Sequence, residues 1–319
     1  MTLADDTQIE EASSQMQSTT TEDVAAAVAP EEVHFGKNKM PWSARLGIAW
    51  LVFIVGAAIY AKLDQLFGQA LPLQDPFYQG NLFGTASRTE TPSTAHFLGT
   101  DVLSRDTFSR IVHGGWVSLV VAGVAALFGI FVGGILGSFV GYVKGRWESV
   151  IMSGIDVILA FPPLILLLAM VSIYQVRSLA LISLVIGILS IPAYTRIARA
   201  NALAISNREF VHAAQAIGTK KATILFREIL PNVFPALIAY ALVQSAYVIV
   251  LEGTLSFLGL SVQLPEPTWG NMINEGRSEI RQTILPVLWP SLALTFTVLS
   301  MNQLGDYLQR RAAIRSSAL

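Results

Sequence analysis

The chain has 319 residues, 53% of them hydrophobic and only 13% charged, and its net charge is −1. With a mean hydropathy of +0.54, it is too apolar for an ordinary soluble domain and suits a protein that crosses a membrane several times. It contains no cysteine, which excludes disulfides, thiol catalysis and thiolate metal sites.

Residues 1–36 carry eight of the 22 acids and no Lys or Arg. With neither a basic start nor an apolar stretch, they read as an acidic, solvated tail and not as a secretory leader. Six later stretches approach the twenty or so apolar residues that a spanning helix needs. They run from Ser43 to Ala61, Val117 to Val143, Val150 to Tyr174, Leu179 to Ile197, Val233 to Leu255 and Ile284 to Leu304. The third is interrupted by "AFPPL" and the fourth by "SIPAY", which predicts kinks near Pro162, Pro163 and Pro192.

With the N-terminus inside, fourteen Lys and Arg fall on the cytoplasmic side and seven outside. The asymmetry favours cytoplasmic termini and puts roughly Lys62 to Trp116 and Gly259 to Arg281 outside. The second stretch places Gly129, Gly133, Gly137, Gly141 and Gly145 at every fourth position. Such a stripe lets another backbone come close in lipid, so it reads as a packing face. No G-x-x-x-x-G-K-[ST] occurs, so the chain carries no nucleotide loop of that kind.

Between the fourth and fifth stretches lies "EFVHAAQAIGTKKATILFREILPN", Glu209 to Asn232. It predicts two short helices and a corner. Ser206 and Glu209 have capping-box spacing, Gly218 suits a left-handed helix end, and Thr219 suits the cap of the next helix. The second helix would turn Ile224, Leu225, Ile229 and Leu230 to the spans and end at Pro231. Glu252, within the fifth stretch, is the clearest ionisable residue at membrane depth and so a candidate for the translocation path, although a helix-end hydrogen bond would explain it as well. Tyr247, Asn302 and Gln303 are lesser candidates. Asp156 and Asp306 lie near the cytoplasmic ends, where they are interfacial or pair with basic neighbours.

The segment "AAQAIG" followed by "REILPN" resembles the cytoplasmic EAA loop of permease subunits of ABC importers. Ala213, Ala214, Gly218, Leu230 and Pro231 match that pattern, while His212 stands in place of the glutamate and Glu228 in place of an isoleucine. "HFLGTDVLSRDTFSRIVHGGWVSL" from His96, with Ser104 where glycine is usual, is similar to the second permease subunit of dipeptide and oligopeptide importers. So are "DVILAFPPLILLLA" from Asp156, "LEGTLSFLGLSVQLPEPTWGNMINEGR" from Leu251, and "NQLGDYLQ". The resemblance covers roughly Trp42 to Arg311.

The resemblance implies an all-α membrane protein with six transmembrane helices, the type I ABC importer permease fold, and both termini in the cytoplasm of a bacterial cell. It divides the chain into a tail (1–40), a first span (41–63), an extracytoplasmic segment (64–116), a core of five spans (117–308) with its coupling loop (198–232), and a C-terminal tail (309–319). The implied partners are a second homologous permease, two ATPase subunits that bind the ATP and Mg, an extracytoplasmic substrate-binding protein and the lipid bilayer, with no nucleic acid. This chain itself would hold no cofactor, metal or catalytic group. Glu209, His212, Ala213, Ala214, Gly218, Leu230 and Pro231 would couple to the ATPase, with Glu209 serving equally well as a capping residue. Trp269, Glu275 and Arg277 would meet the binding protein or form surface structure. Short peptides are the implied solutes, with nickel, glutathione and other solutes as alternatives. An ion-driven transporter would be expected to show related halves and more buried ionisable residues, and a membrane enzyme a catalytic cluster. The four histidines, His34, His96, His113 and His212, are instead scattered.

Overall fold

The computed structural model describes residues 40–67, 74–79, 89–174 and 178–317. The acidic segment thus lies outside the described residues, apart from Met40. The described residues are helical apart from short turns, loops and one isolated antiparallel bridge between Thr100 and Asp106. Helix α1 spans Trp42–Leu66. Helix α2 spans Thr107–Val143 with a π-helical turn at Gly129–Gly133. Helices α3 (Arg146–Ala160) and α4 (Pro163–Tyr174) follow, then α5 (Leu179–Ser206) and the short α6 (Glu209–Ala216). Helix α7 (Lys221–Phe257) contains a second π turn at Leu225–Ile229. Helices α8 (Trp269–Gly276) and α9 (Leu285–Ser317) complete the order.

Five of these helices are long and apolar enough to cross a membrane, and α3 with α4, bent by 83°, adds a sixth if the pair counts as one span. That bend sits where the sequence predicts a kink. Pro162 and Pro163 lack N–H donors and cannot continue the α3 ladder, so the chain breaks after Ala160 and restarts on Pro163. By contrast α5 runs on through Pro192. On the same helix Ser190 and Thr195 donate their hydroxyls to the carbonyls of Ile186 and Ile191, four residues back.

Helix α2 starts ten residues before Val117, the start predicted for the second span. Asp106 caps it, its carboxylate accepting from the Ser109 N–H at 2.7 Å. The glycine stripe is the seam between α2 and α5. A β-carbon at Gly133 would lie 2.7 Å from the Ile191 carbonyl oxygen, and one at Gly141 2.6 Å from that of Arg199. Only hydrogen fits there, so the two backbones meet directly, as dispersion-driven packing in lipid requires. Gly145 departs from the stripe. It lies beyond the helix with φ +77° and open space around it, making the turn into α3.

Helix α1 lies antiparallel on α9. Gly47 faces the Ser300 backbone, the Trp50 indole N–H donates to Thr297 Oγ1 at 3.0 Å, and the rings of Trp50 and Phe296 meet edge to face. Its outer side exposes Leu46, Val52, Phe53, Ile59 and Leu63, a surface suited to lipid. Two apolar clusters result. One joins α1, α2, α4, α5, α7, α8 and α9 around Val121, Ile182, Ile249 and Trp269. The other lies at the end carrying α6, around Tyr194, Val211, Ile224, Ile229 and Leu237.

Candidate functional site: a cornered helix, an ionic quartet and a bent helix pair

Helix α6 is held by its own backbone. Gly218 takes φ +79°. The Thr219 N–H donates to the Ala214 carbonyl at 3.1 Å and the Gly218 N–H to the Gln215 carbonyl at 3.0 Å, the paired bonds of a Schellman end. The corner expected at Gly218 is therefore present, but the two expected caps are not. Ser206 still belongs to α5, and its hydroxyl donates to the Leu203 carbonyl at 2.8 Å. Arg208 takes the cap position of α6 with no side-chain cap bond, and Lys220 does so for the next helix. Both cap residues are extended, which is the conformation a cap requires whatever its side chain.

Val211 is the residue the sequence reading missed: it is wholly buried and anchors α6 on the second cluster. Ala214 packs half-buried on the same side. Glu209, Phe210, His212, Ala213 and Ile217 face outward. Of the two matched alanines, then, Ala213 is exposed and Ala214 leaves space for this chain's own helices. Ile224, Leu225 and Ile229 are buried as expected. Pro231 does not end its helix. A π turn precedes it, and α7 continues unbroken, because a π turn re-registers the ladder where a donor is missing. The Asn232 side-chain amide donates to the Glu228 carbonyl at 2.6 Å. Leu230 is half-buried, while exposed Pro231 lines a cavity of about 500 Å³ with Ile205, Arg208, Phe210 and Gln309.

At the opposite end, Asp101, Arg105, Arg110 and Glu275 form a quartet of two anions and two cations. Arg105 Nε lies 2.7 Å from Asp101 Oδ2 and its Nη2 2.7 Å from Glu275 Oε2, while Arg110 lies 3.2 Å from each of the same two oxygens. Both guanidiniums are buried. The quartet fixes α8 to the start of α2. Glu275 thus spends its charge inside the chain, and Trp269 offers no surface to a partner. It is fully buried, its indole N–H donating to the Ile111 carbonyl at 2.9 Å. Burying this indole needs such an acceptor, and the last turn before Val112 supplies it. Arg277 alone of the three is exposed, 5.9 Å over the Phe257 ring. Replacing Glu275 by Gln leaves two buried guanidiniums facing one carboxylate. The expected loss is about 3 kcal/mol, read as a lower melting temperature of the detergent-purified protein, with Glu275→Asp less affected.

Glu252 is also enclosed. One oxygen accepts from Ser118 on α2 and the other from Ser261 beyond α7, each at 3.0 Å, and the side chain is wholly buried. The bonds are made with two serine hydroxyls and not with backbone groups at a helix end. Tyr247 and Gln303 are exposed and Asn302 half-buried, on α7 and α9, whereas the partners of Glu252 are Ser118 and Ser261. Elsewhere, α3 is tied to α5 by two ion pairs, Glu148 with Arg199 and Asp156 with Arg196. No group of three or more His, Asp or Glu side chains able to hold a metal occurs among the described residues.

Residues 129–315 match the family described as "Binding-protein-dependent transport system inner membrane component". A relative from Pectobacterium atrosepticum, the glutathione transport system permease protein GsiD, is 38% identical over 234 residues, covering 73% of this chain and 77% of its own length. GsiD proteins from Escherichia coli and Shigella boydii are 36% identical over 279 residues, 86% of either chain. The chain belongs to the family of binding-protein-dependent transport system inner membrane components. It is accordingly a non-catalytic permease subunit of an ABC importer in a bacterial inner membrane, and membership implies a binding protein, ATPase subunits and a second permease as partners.

Proposed function

We propose that this chain forms half of the pathway by which a bacterial ABC importer takes up short peptides, glutathione among them as a γ-linked tripeptide. The relatives' printed function, glutathione transport, and the resemblance to dipeptide and oligopeptide permeases meet in that one chemical class. The termini and α6 lie on the cytoplasmic side, and the quartet lies outside. ATP and Mg are held by the partner ATPase subunits. The segments then follow the division 1–40, 41–63, 64–116, 117–308 and 309–319, with residues 198–232 as the coupling loop.

The observation that carries the coupling role is the two-sided character of α6. Val211 and Ala214 fasten it to the bundle, while Phe210, Ala213 and Ile217 present apolar surface away from it. A short helix fixed on one side and apolar on the other fits a groove in an ATPase, and Glu209 in its first turn complements the helix dipole. Closure of the ATPases would shift α6, and packed helices answer such shifts by moving between discrete arrangements. Arg277 remains as an exposed contact for the binding protein, and Tyr247 and Asn302 as residues toward the pathway.

The absence of cysteine allows a direct test. Ala213→Cys is expected to crosslink to a cysteine placed in the ATPase groove, with a yield that changes between ATP-bound and nucleotide-free complexes. Ala214→Cys is expected to react far less, being turned inward. Equal, nucleotide-independent yields at both positions would refute docking through this face.

A further inference from the structure

We propose that the Asp156–Arg196 pair is a station on the solute route, where a molecule carrying both an ammonium and a carboxylate exchanges partners with the pair; this rests on the importer reading above. Arg196 Nη2 lies 2.6 Å from Asp156 Oδ1, yet 58% of the Asp156 side chain and 52% of the Arg196 side chain are exposed. Both residues lie inside helices that count toward the spans. Asp156 is ten residues into α3, about 15 Å along its axis at 1.5 Å per residue, and the pair lies toward the cytoplasmic ends of the two spans. The surface around them is apolar, with Val157, Ile158, Phe161 and Ile165 all exposed. An exposed ionic pair within such a surface does not face acyl chains. Ionisable groups set in the apolar surface of a spanning helix turn toward a water-filled cavity or toward protein.

The backbone beside the pair supports the same placement independently. Asp156 stands five residues before Phe161, where the chain bends by 83° between α3 and α4. Phe161, Pro162 and Pro163 are exposed, and the two prolines bring no N–H donors. A helix broken at an exposed site is tolerated in a membrane where it borders water or another protein, and not where it borders lipid. Broken helices next to polar side chains are a recurring construction of solute sites in transporters. The other pair on these helices, Glu148 with Arg199, is the more covered of the two and serves as the tie between α3 and α5. Asp156 and Arg196 are thereby free to open without releasing α3.

The chemistry selects the solute class. A carboxylate and a guanidinium side by side offer an acceptor for an ammonium group and a two-pronged donor for a carboxylate. An ion pair that water reaches holds its partners weakly, so a zwitterion can replace each half with a matching charge. A neutral solute gains nothing from the exchange, and a bare divalent cation meets only one carboxylate beside a repelling guanidinium.

The test uses the assembled importer in proteoliposomes with its binding protein, carrying Asp156→Cys or Arg196→Cys, either of which keeps the other ion. A charged, membrane-impermeant methanethiosulfonate is applied from each side, with and without saturating trialanine or S-methylglutathione, in nucleotide-free and ATP-trapped states. The expected result is labelling whose accessible side changes with the nucleotide state and whose rate falls about tenfold with solute, equivalent to 1.4 kcal/mol of occupancy. Labelling from one side only, at a rate indifferent to solute, would make the pair a surface bridge and overturn the proposal. So would absence of labelling while an Arg146→Cys control, exposed at the turn into α3, reacts, since the pair would then be covered by the second permease. Loss of ATP-driven peptide uptake by the wild-type complex would instead defeat the importer reading itself.

Discussion

Gly218→Val is expected to abolish ATP-driven uptake while the protein still inserts and accumulates in the membrane. The φ of +79° at this position is one that a β-branched residue resists, at about 1–2 kcal/mol for any L side chain and more for valine. No atom lies within 4 Å of a β-carbon built at Gly218, so crowding contributes nothing and conformational strain carries the whole effect. The strain relaxes if the corner opens, which releases the Thr219–Ala214 and Gly218–Gln215 bonds and lets α6 swing off the second cluster. Gly218→Asn, which tolerates the left-handed region, should retain most uptake. The measurement is transport per unit of membrane-inserted protein. Equal uptake by the Val and Asn variants would show that the corner does not transmit the ATPase movement.

Gly137→Leu is expected to have the larger structural effect, with the folded protein failing to accumulate. A β-carbon at Gly137 meets the Thr195 carbonyl oxygen and the Ala198 methyl at distances that real contacts do not show. The obstruction is backbone on the facing helix, so no rotamer relieves it and α2 and α5 must separate. In lipid the hydrophobic effect does not restore such a pair, since its loosened side chains are content among acyl chains. Gly123→Leu on the same helix, where nothing lies within 4 Å, is the matched control and should be tolerated. Resistance to protease in isolated membranes separates the two, and similar resistance would show that the seam tolerates separation.

Much of this architecture can be read from the sequence because lipid is a severe solvent. Runs of twenty apolar residues have one stable fate there, so the spans emerge from hydropathy, and the glycine stripe announces its own close contact. Gly218 was legible for the same reason: the left-handed corner leaves few residue types eligible. Capping was not legible. Ser206 and Thr219 have the right chemistry for caps, but a hydroxyl near a helix end can equally bond backward, and the packing of Val211 decides where α6 begins. Pro231 misled because a π turn, which leaves no mark in composition, absorbs its missing donor. The burial of Trp269 and the pairing of Glu275 were not legible either, because hydropathy cannot reveal Arg105 and Arg110, which lie far away in sequence and draw Glu275 inward. Glu252 belongs with them, since only the fold brings Ser118 and Ser261 to its two oxygens.

The unbroken course of α7 has a mechanical consequence. Its 37 residues make a rod about 55 Å long at 1.5 Å per residue, with the Gly218 corner at one end and the Glu252 clamp near the other. A rod of that length magnifies angle into distance, so a tilt of about 5° displaces its far end by about 5 Å, close to one helical turn. The π turn at Leu225–Ile229 lies next to the corner, so the rod beyond it swings by whatever angle this turn passes on. Small movements of α6 would thus arrive at the opposite membrane face already enlarged, at the point where Ser118 and Ser261 join α7 to α2 and to the segment leading into α8.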